Sequence, residues 1–132
     1  MNQNEINEVM RLHRLWVEGS QEGRRCDLTD ADLRGLNMRG AVLRNAEMRE
    51  ADLSDTDLSH ADLTSSNMTG CLLRGTNLTY AKLTEADMSN CDLRGANLSG
   101  VDIVGTDLWR ANFRECIITP RMLHQALKCR RG

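Results

Sequence analysis

Aromatic residues are nearly missing from this 132-residue chain, at 3% of its length: two Trp, one Tyr and one Phe. A core built without them must be aliphatic and its interior narrow, which argues against an aromatic-lined pocket and a small-molecule substrate. Long apolar runs are missing too, because polar residues interrupt the hydrophobic ones every second or third position. That speaks against a signal-peptide core and a membrane-spanning helix, so no membrane association is expected. The five cysteines are odd in number and show neither Cys-x-x-Cys nor Cys/His spacing. Neither a disulfide framework nor a zinc site is expected from them, and a reducing cytoplasm fits best. The three histidines, His13, His60 and His124, fall in different segments with no Ser/His/Asp arrangement, Gly-rich phosphate loop or metal-ligand spacing around them. No catalytic residue, cofactor or metal is therefore expected, and the chain reads as non-enzymatic.

What the chain does have is a period of five. From Cys26 to Thr119 one large apolar residue recurs at every fifth position without interruption: Leu28, Leu33, Met38, Leu43, Met48, Leu53, Leu58, Leu63, Met68, Leu73, Leu78, Leu83, Met88, Leu93, Leu98, Ile103, Leu108, Phe113 and Ile118. A mostly small residue stands two places before each, and Asp or Asn stands immediately before most of them. Five matches neither the helical period nor the strand period. A chain that turns a corner every five residues closes a square coil in four repeats, and stacking at the ~4.8 Å spacing of paired strands then gives nearly five coils in a rod of about 23 Å. The central apolar residue and the small one face the axis, and the other three face solvent.

The units ADLRG, ADLSD, ADLTS and ANLSG resemble the pentapeptide-repeat family. That resemblance covers residues 26–119 and implies a right-handed quadrilateral β-helix, an all-β solenoid. The segment from Trp16 to Leu28 resembles short bacterial and phage members that begin with a small helix. Some members of the family, the quinolone-resistance and mycobacterial fluoroquinolone-resistance proteins, resemble B-form DNA and bind DNA gyrase or topoisomerase IV. A type II topoisomerase is the partner that resemblance implies. The loops that interrupt the coil of the quinolone-resistance members are absent here.

Three parts are expected. Residues 1–25 form an amphipathic helix and loop, with Ile6, Val9, Met10, His13, Trp16 and Val17 on one face and Asn2 or Asn4 as its cap. Residues 26–119 form the β-helix. Residues 120–132 begin at the only proline and form a short helix, with Met122, Leu123, Ala126 and Leu127 apolar and Lys128, Arg130 and Arg131 as a basic tail. Both helices read as caps over open coil edges, and by resemblance the C-terminal one is a candidate homodimer contact.

At twenty residues per coil, equivalent positions stack in columns. Leu28, Met48, Met68, Met88 and Leu108 form an interior column that reads as adaptable core packing rather than a soft-metal site. Cys71 and Cys91 stack as buried free thiols, since ~4.8 Å exceeds the usual Cβ separation of a disulfide. Outside, Asp27, Glu47, Asn67, Asp87 and Asp107 make an acidic stripe, with Asp30 and Glu50 at the neighbouring corner. Arg34, Ser54, Arg74, Arg94 and Arg114 make an adjacent arginine column, which must fan out, pair with Asp32 and Asp92, or meet an anionic partner. Val42, Leu72, Tyr80, Val104, Trp109 and Ile117 are apolar at outward positions, and Trp109 suits either an interface or a place under a terminal helix.

These faces lead to a binding module that recognises a protein partner, with Asp27, Glu47, Asp87, Asp107, Arg34, Arg74, Arg94, Arg114 and Trp109 as candidate contacts. Residues 26–119 carry fifteen acids and nine bases, a net of −6. Over ~23 Å that is one charge per ~4 Å, against one per ~1.7 Å of duplex DNA, so a DNA mimic would be under-charged. Direct nucleic-acid binding is not expected, given the negative body and the lack of exposed aromatic platforms.

Overall fold

Each five-residue unit has five backbone N–H groups to satisfy, and the computed structural model, which describes residues 1–128, shows where they go. In the unit Ala51–Asp55, Ala51 N–H closes a turn on Met48 O at 3.1 Å, Asp52 N–H donates to Ala31 O in the coil before at 2.9 Å, and Leu53 N–H donates to Leu72 O in the coil after at 2.7 Å. Asp55 N–H also reaches the coil after, at Arg74 O, 2.9 Å. The fifth, Ser54 N–H, has no backbone acceptor and is taken by Asp52 Oδ1 at 3.0 Å. Here is the physical reason for Asp or Asn before the core residue: its side chain accepts the N–H two positions on, the local bond at which these residues excel.

Parallel bridges join each residue before the core position to the one twenty later, in the columns 27–47–67–87–107, 32–52–72–92–112, 37–57–77–97–117 and 42–62–82–102. The chain is a β-helical solenoid. Its extended structure consists of these isolated bridges rather than continuous strands, because the corners interrupt pairing every five residues. Corner residues carry positive φ whatever their type: Tyr80 (φ 59) and Arg110 (φ 60) as well as Gly100 (φ 71). A left-handed conformation costs about 1–2 kcal/mol for an ordinary residue, and inter-coil bonds such as Tyr80 N–H to Ser99 O at 2.9 Å hold it there.

All of the periodic apolar residues are buried except Phe113 and Ile118, which are half-buried. Both were expected in the core, but they lie in the last coil, with no further coil above them. Leu53, Leu73 and Leu93 stack at 0%, 0% and 1% exposure, and Met48, Met68 and Met88 are fully enclosed. Burying one such side chain stabilises the fold by about 1.5–3 kcal/mol.

Helix α1 spans Gln3–Val17 and α2 spans Pro120–Lys128. Asn2, not Asn4, caps α1 through a capping box with Glu5. Ile6 joins the core, with Val9 and Met10 packed against it. Trp16, expected on the buried face, is instead 38% exposed near the helix end, with its ring against His13 and the Arg25 guanidinium 5.8 Å from its centroid. Helix α2 starts from Thr119, whose hydroxyl accepts Met122 N–H at 3.2 Å, and buries Ala126. Arg130 and Arg131 of the expected basic tail lie outside the described residues.

Candidate functional site

With the interior filled by aliphatic side chains, chemistry is left to the outside. The acidic residues Asp27, Glu47, Asp87 and Asp107 stand in one bridged column together with Asn67, as the period requires. Their carboxylates are engaged in the fold. Asp27 Oδ1 accepts both Thr29 N–H and its hydroxyl, at 3.1 and 2.7 Å, and these bonds hold its pKa below the usual carboxylate value. Glu47 Oε1 accepts Arg49 N–H and Nε at 3.2 and 3.0 Å. Asp87 accepts Ser89 N–H and hydroxyl at 3.0 and 2.7 Å, and Asp107 accepts Trp109 N–H at 3.1 Å. Glu47, Asp87 and Asp107 are half-buried. The stripe is negative, but each of its members also braces its own corner.

Three members of the arginine column find carboxylates. Arg34 grips Asp32 with two bonds of 2.9 Å, which hold that carboxyl well below its ordinary range and raise the arginine in turn. Arg94 grips Asp92 the same way, at 2.9 and 2.7 Å. Arg74 has Leu72 where the other two have an aspartate, and its Nε reaches across to Asp92 Oδ2 at 2.9 Å. Arg114 stands beside Asn112, which accepts its backbone N–H at 3.1 Å, and its guanidinium has no ion-pair partner among the described residues. Water screens exposed pairs of this kind, so they order the surface more than they stabilise it.

Trp109 is half-buried, with the Arg110 guanidinium 4.6 Å from its ring centroid. Of the outward apolar residues, Leu72, Tyr80, Val104 and Ile117 are exposed, whereas Val42 is half-covered beside Met10 and Arg14 of α1. Sequence reasoning missed the stack of His60 on Tyr80, rings 5.2 Å apart. Their separation of twenty residues was the available signal.

The thiols of Cys71 and Cys91 are buried and bonded to the backbone. Cys71 donates to Met48 O and Cys91 to Met68 O, both at 2.9 Å. The neighbouring Cys71 thiol, together with burial, pushes the Cys91 pKa well above its usual value, and burial pushes Cys26 up to about 11. Among the described residues no group of three or more His, Cys, Asp or Glu could hold a metal ion, and no helix is long and apolar enough to cross a membrane.

A family model described as "Pentapeptide repeats (8 copies)" matches residues 26–64, 56–95 and 91–119. Among solved structures, the pentapeptide repeat protein Rfr23 of the cyanobacterium Cyanothece 51142 is 32% identical over 75% of this chain and 68% of its own, with a TM-score of 0.71. HetL of Nostoc sp. strain PCC 7120, a pentapeptide repeat protein involved in heterocyst differentiation regulation, is 30% identical over 71% of this chain, with a TM-score of 0.64. The match spans 47% of HetL. QnrB1, a plasmid-mediated fluoroquinolone resistance protein, aligns at 16% identity with a TM-score of 0.28, too slight a likeness to bear on function. A comparison with curated protein sequences finds no match. With the five-residue ladder, the Asp and Asn braces and the twenty-residue bridges in hand, the matched family model makes the chain a member of the pentapeptide repeat family.

Proposed function

We propose that this protein is a non-enzymatic binding module of the cytoplasm, a right-handed quadrilateral β-helix of nearly five coils whose charged faces recognise a protein partner. One observation carries the reading: the interior is filled at every level by aliphatic side chains, while ionic groups on the outside are held in fixed register by the coil. Preorganised charge lowers the ordering cost of association. The contacts are Arg34, Arg74, Arg94 and Arg114 on one face and Asp27, Glu47, Asp87, Asp107 and Trp109 on the other. Helix α2, with Leu123 and Leu127 exposed, is the surface for a homodimer.

Affinity capture from a bacterial lysate, repeated with Trp109→Ala and Arg94→Glu, tests the reading. Loss of the captured protein in either variant supports it, and retention in both overturns these surfaces. The acidic column favours a second reading, a DNA mimic acting on DNA gyrase or topoisomerase IV. A supercoiling assay decides it: no inhibition at large molar excess and no rescue from a quinolone would end that reading.

A further inference from the structure

The column 32–52–72–92–112 reads Asp, Asp, Leu, Asp, Asn, and the leucine in its middle changes the electrostatics of the whole face. Without a carboxylate in its own coil, Arg74 shares Asp92 with Arg94, so two guanidiniums surround one acid. One positive charge is left over. Arg74 bonds Asp92 through its Nε alone and Arg94 through its Nε and one Nη, so the remaining Nη donors stay available to a ligand. Below Leu72 the balance is opposite, since Asp52 and Asp55 line the trough beside Arg34, whose charge Asp32 already pairs. Charge therefore reverses along one open trough of about 650 Å³, and Leu72, 41% exposed, sits at the reversal.

We propose that this trough docks a short extended segment of a protein partner, placing an acidic side chain on Arg74 and Arg94, an apolar one on Leu72 and a basic one toward Asp52 and Asp55. The proposal deepens the binding-module reading and rests on it. Size selects the occupant. A face three residues wide, roughly 10 Å, and about 20 Å long offers a couple of hundred Å², far below the ~800 Å² per partner of a stable folded interface. A second folded copy is excluded by that shortfall, whereas an extended strand of about six residues fits it. A nucleic-acid strand does not fit, because phosphates every ~3.4 Å along it would run from the arginines onto Asp52 and Asp55. Paired guanidiniums suit a carboxylate, which takes parallel charge-assisted bonds from such a fork.

The test is an amide NMR titration of the full chain with the acetylated and amidated peptide Ser-Glu-Ser-Leu-Ser-Lys-Ser, the same peptide with Gln for Glu, and a ten-residue oligothymidylate. Saturable shifts at residues 54, 72–75 and 92–95, weaker by roughly tenfold for the Gln peptide, are expected. Leu72→Asp supplies the sharper control. It restores to Arg74 the acid that Arg34 and Arg94 have, so the protein stays folded while the peptide shifts vanish. Absence of saturable shifts, equal response to the Gln peptide, a stronger response to the oligonucleotide, or full binding by a folded Leu72→Asp variant each overturn the proposal. If the peptide fails while lysate capture still depends on Trp109, this face is wrong and the module reading stands; if both fail, the reading falls with it.

Discussion

At its N-terminal end the solenoid is closed with polar atoms as well as apolar ones. The Gln3 side-chain amide pairs with both backbone groups of Asn37, donating to its carbonyl at 2.7 Å and accepting its N–H at 2.8 Å. His13, fully enclosed, donates from Nε2 to Arg44 O at 2.8 Å and accepts Cys26 N–H on Nδ1 at 3.0 Å. The C-terminal end is covered differently. Helix α2 buries Ala126 and packs Met122 against the core, yet it leaves Phe113 and Ile118 half-buried and Leu123 and Leu127 exposed. An open coil edge needs both its apolar core and its unpaired backbone covered. The first end receives both, and the second receives mainly the apolar cover.

The largest test of that difference places a charge at the equivalent repeat position in two coils. Leu73→Asp in a fully enclosed level should cost more than about 4 kcal/mol and abolish the cooperative urea transition. Phe113→Asp, at the loosely covered end, should cost less than half as much, and equal losses would contradict the asymmetry. Next, His13→Ala removes two buried hydrogen-bond partners and leaves a cavity, and a loss of about 2–4 kcal/mol is expected in thermal melts.

The same histidine makes the first end sensitive to acid. Burial lowers its pKa from the ordinary 6.5, with Arg25 adding to the shift and the Arg44 carbonyl opposing it. The ring bonds through Nδ1 as an acceptor, so the folded state holds it neutral. Its contribution is present above pH 6.5 and is lost as pH falls below that value toward the depressed folded pKa. Besides Arg25, the groups against it are the Cys26 backbone N–H and the Trp16 ring. Amide exchange at Cys26 and Asn37 should accelerate with opening as pH falls through this window, beyond the intrinsic pH dependence. Replacing the imidazole by an amide that does not titrate, in His13→Gln, should flatten that response while amides near α2 keep theirs unchanged. Smallest of all, Ala126→Asp should detach α2 and shift the melting temperature of the coil by only a few degrees, about 1 kcal/mol. A collapse as large as that of Leu73→Asp would mean that the second end is closed as firmly as the first.

Much of this was legible in advance. The five-residue period placed Leu53, Leu73 and Leu93 in one column and Asp27, Glu47, Asp87 and Asp107 in another, because a repeating backbone converts spacing in sequence directly into stacking in space. It also brought Asp32 and Asp92 forward as partners for the arginines. The exceptions were hidden where neighbours from different coils or helices decide. Arg74 took its acid from the coil above because Leu72 denied it one in its own, and the burial of His13 depended on how α1 meets the first coil. Trp16 followed the helical period onto the apolar face yet ended exposed near the helix end.

The order of amino acids is enough to specify the coil: which residues fill the axis, which accept the N–H that no backbone group can reach, and which columns carry charge. Local bonds and a constant step suffice for that. How the ends close and which guanidinium shares which carboxylate emerge only once the chain is packed. Those outcomes depend on contacts between segments that the period does not relate, and there the competition between burial, hydrogen bonding and charge is settled in three dimensions.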